Sequence, residues 1–586
     1  MIPNLLRKTL PYFTIIISIC LILSLGWHNP WINASYDIAV LFGLTLLLIL
    51  LHLGLLFERP AQKGQRAMII FSLFILGFSL LTIFGWIYLD ASESSFLQKL
   101  LRAKHSLTIG LILYILVRMT RLIRVLYTRI HNPAFIFVTS FIFLALGGTG
   151  LLLLPEATVN GISFVDAAFT STSAVCVTGL VVLDTAKEFT FFGKVIIMIL
   201  MELGGLGTLT ITSFFGYFFR GSASFREGLY MSNFLSTEDS LNDVMNLAVK
   251  VVGITLVIEC AGAIMIYCTT QGTDTGPEGP LFFATFHAIS AFCNAGFSTL
   301  SEGLYAMPIR YNYSLQSVIV SLLILGGIGF NILFNFYTYI KLTFKKYFYN
   351  IFKREYLRQP ARIVTLNTRI VMITTVTLLF IGTVFYFVSE YHNSLAEHRS
   401  LAGKWMAAFF SSATPRTAGF QVVDISLFAP ATVFFTMLLM WIGASPASTG
   451  GGIKSSTFVL ALLNIFSIVK GKAYLEIQSK EISLDSIRRA FAIITLSLVV
   501  IWLAIFIILE LEQQADMLKV SFEAFSAFST VGLSLGITAS LSWGSKLILI
   551  ILMLLGRIGT FNLMVGIMKK MRAQHHRYPK ETILIN

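Results

Sequence analysis

Twelve long apolar runs constrain the fold of this 586-residue chain more than any other feature of its sequence. A helix that crosses a bilayer needs about 20 apolar residues, because the hydrocarbon core is roughly 30 Å thick. The runs lie near residues 11–28, 36–57, 67–89, 106–127, 133–154, 190–218, 243–268, 313–341, 367–389, 428–470, 488–511 and 543–568. The sequence therefore predicts an all-α polytopic membrane protein.

Composition excludes several other classes. Hydrophobic residues make up 56% of the chain and charged residues only 12%, whereas a soluble domain is about 25% charged. Soluble enzymes, disordered chains and disulfide scaffolds are excluded on this ground. The cysteines are odd in number and scattered, with no spacing typical of a metal or disulfide framework. They are Cys20, Cys176, Cys260, Cys268 and Cys293.

The net charge of +14 is an orientation signal rather than a sign of nucleic-acid binding, because most basic residues lie in short loops on one side of the spans. That side carries Arg220, Arg226, Lys341, Lys345, Lys346, Lys353, Arg354, Arg358, Lys470, Lys472, Arg488, Arg489, Lys569, Lys570 and Arg572. The other carries Asp184, Glu188, Glu390, Glu397, Glu510, Glu512 and Asp516. The basic side is predicted to be cytoplasmic, with both termini inside; Lys99, Arg102 and Lys104 are exceptions.

A fourfold internal repeat follows residue 130. Four short segments, rich in small residues and too short to span a membrane, each lead into a glycine and an apolar residue. They are Phe169–Leu180, Phe286–Phe297, Phe409–Phe420 and Phe522–Leu533, and their glycines are Gly179, Gly296, Gly419 and Gly532. The glycines are 117, 123 and 113 residues apart. Span, half-helix, glycine loop and span therefore recur four times.

Non-helical backbone at membrane depth persists only where it is buried or lines a wet cavity. Four such loops can meet on one axis and point backbone carbonyls inward, which is how a protein replaces the water around K⁺. The preceding half-helices would aim their negative C-terminal ends at the same cavity. The alternative is that each glycine only caps a helix, and the common register of the four segments argues against it.

These segments resemble the filter loops of the Trk/Ktr/HKT superfamily of potassium transporters. The resemblance rests on Ser173–Leu180 (SAVCVTGL), Pro415–Phe420 (PRTAGF), Phe528–Leu533 (FSTVGL), Gly204–Gly207 (GGLG), Gly326–Gly329 (GGIG), Gly450–Lys454 (GGGIK) and Gly556–Gly559 (GRIG). It covers about residues 133–570. It implies four tandem M1–P-loop–M2 repeats in pseudo-fourfold arrangement around a single pore. It also implies a homodimer and a cytosolic, TrkA/KtrA-like ring of nucleotide-binding regulatory subunits.

The predicted boundaries follow the repeats. Residues 1–130 form an N-terminal region of four additional transmembrane helices, a departure from the family pattern. Residues 131–235, 236–360, 361–480 and 481–586 form pore repeats one to four, the third with a broken M2 and the fourth with the cytoplasmic C-terminus. In the last N-terminal helix Arg118, Arg121 and Arg124 recur every third residue. That spacing suits a voltage sensor, but the positive-inside rule explains it equally.

By the resemblance, three residues from each loop bind dehydrated K⁺ through backbone carbonyls. They are Val177, Thr178, Gly179, Asn294, Ala295, Gly296, Thr417, Ala418, Gly419, Thr530, Val531 and Gly532. In some plant members of the superfamily, a serine in place of the first of these glycines is associated with a preference for sodium. The presence of glycine at all four positions therefore favours K⁺. At Cys176 and Cys293, which lie in the filter region, the backbone rather than the sulfur is expected to matter.

The predicted gate lies beneath the filter. The run 428–470 is broken at residues 443–452, and Gly450, Gly451, Gly452 and Lys454 are expected to obstruct the pathway together with Arg557. Arg557 replaces a glycine of the repeated motif, and a charge inside an apolar span must face protein or water. Two alternatives stay open: Arg557 pairs with a buried carboxylate, or Lys454 is a snorkelling surface residue.

Carboxylates within apolar stretches are further candidates. Glu523 and Asp166 are expected to brace the fourth and first loops, and Arg416 to enter the third loop and pair with a carboxylate. Glu202 and Glu259 are expected to have structural rather than ion-contacting roles.

The predicted function is K⁺ uptake across the cell (inner) membrane. The alternatives are Na⁺- or H⁺-coupled symport and a membrane-embedded enzyme; the sequence lacks catalytic and nucleotide-binding motifs, which argues against the enzyme. No cofactor is expected, and K⁺ is the transported ion. Nucleotide control would come from the regulatory partner, which could dock on the basic loops and residues 569–580.

Overall fold

The computed structural model describes residues 42–53 except 44 and 51, 72–77, 133–207, 241–352, 364–478 and 480–559. From residue 133 on, these contain α1 (Pro133–Leu152), α2 (Phe164–Val175), α3 (Phe191–Leu206), α4 (Leu241–Thr269), α5 (Pro280–Phe292), α6 (Tyr313–Ile328), α7 (Phe330–Phe352), α8 (Leu366–Ser389), α9 (Leu401–Ala413), α10 (Pro430–Trp441), α11 (Ser455–Val469), α12 (Leu484–Leu511), α13 (Met517–Ser529) and α14 (Trp543–Ile558). Two-residue strands β1 (Glu476–Ile477) and β2 (Lys480–Glu481) pair antiparallel. The all-α prediction is confirmed for this part of the chain.

Three of the described helices are apolar and long enough to cross a bilayer. They are α4, α8 and α12, with mean hydropathies of 2.1, 2.2 and 3.0 over the apolar stretch of each. The pair α6 and α7 passes the same test jointly but is bent by 102° at the break between them. The predicted run 313–341 is therefore two helices rather than one straight span.

Four short helices sit inside this framework. They are α2, α5, α9 and α13, with 12, 13, 13 and 13 residues, and they correspond to the small-residue segments of the sequence repeat. Ser163, Ser400 and Asp516 cap three of them by accepting a backbone N–H, and Pro280 begins the fourth. Each buries a phenylalanine completely; these are Phe169, Phe286, Phe410 and Phe522.

Packing between these units runs in one cyclic order. The helix that follows each glycine loop packs against the short helix of the next unit: α3 on α5, α6 on α9, α10 on α13, and α14 on α2. The last pair joins the fourth unit to the first. Each short helix is therefore packed against the preceding unit as well as its own.

Glycines of the repeated motif allow the close approach of these helices. Any Cβ added at Gly204, Gly326 or Gly556 would collide with a backbone carbonyl at the end of a short helix. The motif ends in a glycine with positive φ, which terminates the helix. These are Gly207 (φ 77°), Gly329 (φ 94°) and Gly559 (φ 84°). Gly329 lies at the 102° bend.

The predicted break in the run 428–470 is present. The first half, α10, ends at Trp441 and the second half, α11, begins at Ser455. Between them residues 443–454 are irregular, and Ile442 and Ile453 form an isolated parallel bridge that holds the two ends of this segment together. We call residues 443–454 the intramembrane loop.

The N-terminal predictions mostly lie outside the described residues. Only residues 42–53 except 44 and 51, and residues 72–77, are described there, and both stretches are helical. Arg118, Arg121 and Arg124 fall outside, so the four-helix prediction and the voltage-sensor hypothesis remain predictions.

Candidate functional site

The four predicted filter glycines form a closed ring. A Cβ added at Gly179 would meet the carbonyl of Ala295 and the Cα of Gly296. The same relation holds from Gly296 to Ala418 and Gly419, from Gly419 to Val531 and Gly532, and from Gly532 to Thr178 and Gly179. The ring thus closes in chain order, and each glycine lies directly against the backbone of the next loop.

The backbone of each loop is held in a conformation that few residues adopt. The ring glycines have φ values of 87°, 72°, 75° and 90°. A residue two positions earlier also has positive φ, and none of these four is glycine: Val177, Asn294, Thr417 and Thr530. Left-handed backbone at a β-branched residue is unfavourable and persists only where the surroundings impose it. The loops are therefore fixed by their packing.

Buried hydroxyls on the short helices supply part of that constraint. Ser173 Oγ donates to the Leu180 carbonyl at 2.8 Å and accepts from the Gly179 N–H at 3.1 Å. Corresponding hydroxyls form hydrogen bonds with the other three loops. Ser290 donates to the Phe297 carbonyl at 2.8 Å, and Thr414 donates to the Phe420 carbonyl at 2.6 Å. Ser526 accepts from the Gly532 N–H at 3.1 Å. We did not single out these residues from the sequence, although the serine-rich composition of the repeat was a signal for them.

The intramembrane loop packs directly beneath three of the four loops. The Thr449 hydroxyl is hydrogen-bonded to the Asn294 amide at 3.0 Å, and Gly451 N–H donates to Thr530 Oγ1 at 3.0 Å. A Cβ at Gly450 would collide with the Thr417 side chain. The predicted gate segment thus contacts the predicted filter loops at their left-handed residues.

Arg557 links the intramembrane loop to α3. Its guanidinium donates to the Thr449 carbonyl in the loop and to the Gly204 carbonyl on α3. Within the described residues it has no carboxylate partner, so the alternative of an ion pair is not what the structure contains. Lys454 is half-buried and donates through Nζ to Gly450 O at 2.5 Å, a contact within the intramembrane loop.

The predicted bracing residues have different partners. Glu523 is buried and accepts hydrogen bonds from Ser534 and Thr538, just after the fourth glycine. Asp166 pairs with Lys546 Nζ at 2.8 Å, at the start of α2 rather than beside its loop.

Arg416 departs from the expected pairing. It donates to Thr375 Oγ1 on α8 at 3.2 Å, and no carboxylate pairs with it in the described part of the chain. Arg416 therefore joins the third loop to α8.

Two carboxylates and a thiol form a separate cluster beside the second loop. Glu202 on α3, Glu259 on α4 and Cys293 at the end of α5 have ligand atoms that all lie within 4.8 Å of one another. Cys293 Sγ is 3.6 Å from Glu202 Oε2 and 3.8 Å from Glu259 Oε1. The sulfur that we expected to be passive therefore contacts two acidic groups.

Several characterised proteins resemble this chain along most of their length. Ktr system potassium uptake protein B of Vibrio alginolyticus is 35% identical over 453 residues, which are 77% of this chain and 94% of that protein. The protein of the same name from Bacillus subtilis is 34% identical over 454 residues, 77% of this chain and 96% of that one. Potassium/sodium uptake protein NtpJ of Enterococcus hirae is 32% identical over 464 residues, 78% and 97% of the two chains.

A solved structure has the same fold. The potassium transporter TrkH from Vibrio parahaemolyticus superposes with a TM-score of 0.58 over 86% of this chain and 99% of that one, at 17% identity. The family model for TrkH, described as a cation transport protein, matches residues 103–576. That match covers well over half of the sequence, including every loop of the ring. The chain belongs to the TrkH family of cation transport proteins, which are integral membrane proteins.

Proposed function

We propose that this chain carries K⁺ across the cell membrane through the ring formed by its four glycine loops. The closed ring is the observation that carries the proposal, because it places four short, carbonyl-bearing backbones around one axis. In this proposal the four units are M1–P-loop–M2 repeats with the boundaries 131–235, 236–360, 361–480 and 481–586, and residues 1–130 add four helices.

The chemistry of the ring suits a dehydrated monovalent cation. Carbonyl oxygens can replace the water shell of K⁺ without a charged side chain. The C-terminal ends of α2, α5, α9 and α13 lead into the loops, so four partial negative charges face the same place. The ligands proposed are the carbonyls of residues 177–179, 294–296, 417–419 and 530–532.

The names of the relatives point the same way. Two are called potassium uptake proteins and one a potassium/sodium uptake protein. We therefore infer K⁺ uptake as the activity and K⁺ as the ion, with no chemical transformation of a substrate.

The intramembrane loop is proposed as the gate. It contacts three of the four filter loops from below. Arg557 links it to α3 through the carbonyls of Thr449 and Gly204, and Lys454 bonds the Gly450 carbonyl within the loop. Breaking a hydrogen bond to a neutral carbonyl leaves no buried carboxylate without its partner, as breaking an ion pair would. Such bonds therefore suit a segment that moves.

The setting proposed is the cell (inner) membrane, with both termini cytoplasmic. A homodimer is proposed, together with a cytosolic ring of TrkA/KtrA-like nucleotide-binding subunits that docks on the basic cytoplasmic loops. No nucleic acid is involved, because the positive charge is spread over loops and orients the spans.

Reconstitution tests the proposal. Purified protein in liposomes should take up K⁺ and Rb⁺ faster than Na⁺, and Gly179→Ser should reduce the K⁺/Na⁺ ratio, because its side chain would collide with the Ala295 carbonyl. Uptake that follows only the K⁺ gradient supports a channel, whereas uptake that requires Na⁺ or a pH gradient supports the coupled-symport alternative.

Gly161→Ser is the matched control. Gly161 has φ 80°, close to the 87° of Gly179, but a Cβ added there meets nothing within 4 Å. It carries the same backbone strain without disturbing the ring and should keep the wild-type ion ratio. Equal effects of the two variants, or equal uptake of all three ions by the wild type, would contradict the proposed filter.

A further inference from the structure

The cluster of Glu202, Glu259 and Cys293 has the composition of a metal site. Its members come from three different helices, α3, α4 and the end of α5, so only the folded chain brings them together. Thiolate and carboxylate are both ligands of Zn²⁺ and of its softer relative Cd²⁺. K⁺, by contrast, is a hard cation that is bound by oxygen alone in the proposed filter.

The spacing of the ligand atoms fits such an ion. With Zn–S near 2.3 Å and Zn–O near 2.1 Å, tetrahedral geometry separates sulfur and oxygen by about 3.6 Å. The observed separations from Cys293 Sγ are 3.6 Å to Glu202 and 3.8 Å to Glu259. Both sulfur–oxygen separations therefore match those of a tetrahedral site, and all three ligand atoms lie within 4.8 Å of one another.

The two carboxyl groups of the cluster have no basic partner in the described part of the chain. Glu259 is 5% exposed, and within the described residues no lysine or arginine pairs with it or with Glu202. Glu202 Oε1 is buried and has no hydrogen-bond partner there. Buried carboxylates are ordinarily paired, or they coordinate a metal.

The cluster touches the pathway that we propose. Cys293 directly precedes Asn294, whose amide is hydrogen-bonded to Thr449 of the intramembrane loop. Cys293 also packs against α3, because a Cβ at Gly205 would lie 2.5 Å from its sulfur. An ion that draws the thiolate toward the carboxylates therefore pulls on the second filter loop.

We propose that Glu202, Glu259 and Cys293 bind a thiophilic divalent cation, of the Zn²⁺ or Cd²⁺ class, and that the bound ion slows K⁺ passage. On binding, the hydrated ion exchanges water ligands for one metal–sulfur bond and metal–oxygen bonds, and the thiol proton and any carboxyl proton pass to solvent. The binding half of this proposal is independent of the proposed function, whereas the inhibitory half depends on it.

The test uses Cd²⁺ and the whole chain, with Cys20, Cys260 and Cys268 replaced by serine so that two thiols remain. Cys176→Ser is the matched control for Cys293→Ser, because Cys176 is likewise buried at the end of a short helix but is not part of the cluster. Equilibrium binding of radioactive Cd²⁺ to protein in detergent is measured first. Cys293→Ser should weaken binding at least about tenfold, and Cys176→Ser should leave it unchanged.

Glu202→Gln and Glu259→Gln keep the thiol and should each weaken Cd²⁺ binding about tenfold or more. Rb⁺ uptake with and without Cd²⁺ is then compared, each variant normalised to its own metal-free rate, and only proteins with both carboxylates and Cys293 should be inhibited. Equal Cd²⁺ affinity of the two cysteine variants, or binding insensitive to both glutamates, would overturn the site. Binding without inhibition would overturn the effect on K⁺ passage, whereas no uptake even without metal would count against the proposed function alone.

Discussion

At the scale of single residues, Arg557 shows how one substitution in a repeat can acquire a specific task. In the first two units the corresponding position is glycine, Gly205 and Gly327. The fourth unit places a guanidinium there, which bridges Thr449 of the intramembrane loop and Gly204 of α3. It also lies 5.9 Å from the Phe141 ring. A charge in an apolar span thus serves as a clamp between two backbones.

Replacing this clamp should release the loop. Arg557→Ala removes two charge-assisted hydrogen bonds; if the closed state loses about 2 kcal/mol, the open-to-closed ratio rises roughly thirtyfold. K⁺ uptake into liposomes should increase accordingly, and deletion of Gly450–Gly452 should act in the same direction. Arg488→Ala, at an exposed arginine on α12, is the control and should keep the wild-type rate. Unchanged uptake both in Arg557→Ala and in the deletion variant would exclude the gate.

Much of what matters at this scale is not readable from a single sequence. The ring glycines stand out because four segments share their pattern, and left-handed backbone favours glycine. Arg557 stands out because charge is rare in apolar runs. Nothing local, however, indicates that Glu202 and Glu259 would meet Cys293, since they lie 91 and 34 residues before it in the sequence. Such contacts are decided by packing between helices.

At the scale of elements, the loop outside the spans before α9 buries a histidine. His398 is 0% exposed, and its Nδ1 lies 3.0 Å from the Tyr313 hydroxyl, while Nε2 has no partner among the described residues. Burial lowers the pKa of His398 below 6.5; Glu397 opposes this change, and Arg310 and Lys404 reinforce it. The fold therefore favours the neutral imidazole over its protonated form.

Acid should consequently destabilise this loop. Because the pKa of His398 is lower in the folded state, the unfolded chain takes up the proton first, and stability present above pH 6.5 is lost as the pH falls below it. Thermal unfolding at about pH 7.5 and about pH 5.5 should show a smaller pH dependence in His398→Gln than in wild type. His392→Gln, at an exposed neighbour, should behave as wild type. Identical pH profiles for all three proteins would contradict this assignment.

Hydropathy predicted the elements well where they are described, because long apolar runs and glycine-rich interruptions are local signals. The broken run at 428–470 gives α10 and α11 with an irregular loop between them. The run 313–341 was predicted as one span and instead bends by 102°. The cause lies in the GGIG motif, whose terminal glycine, Gly329, has positive φ. The sequence resemblance identifies this motif but does not indicate that the chain bends there.

At the scale of the whole molecule, polar contacts join each unit to the next. Lys194 pairs with Glu278, Arg310 with Glu397 at 3.3 Å, and Lys546 with Asp166 at 2.8 Å. Trp441 Nε1 donates to Ser497 at 3.2 Å and links the third unit to the fourth. These contacts follow the same cyclic order as the helix packing. The sequence could predict that four units exist, but only tertiary structure gives the order in which they touch.

The pair of Lys194 and Glu278 should matter most for the assembly of the ring, because both side chains are buried, at 2% and 11% exposure. Lys194→Met leaves the Glu278 carboxylate without its partner and should destabilise the protein by about 3–5 kcal/mol. Lys187→Met breaks an exposed pair with Asp184 and should change stability by less than about 0.5 kcal/mol. Unfolding in detergent measures both, and comparable losses would show that burial of the first pair is unimportant.

The closed ring also has a consequence for how this protein can diversify. In a pore made of four identical chains, any change of sequence is imposed at four places at once. Here a single polypeptide supplies all four loops, so one quarter can change while the others stay as they are. The second quarter, with Asn294 where the first has Val177, illustrates such independent change.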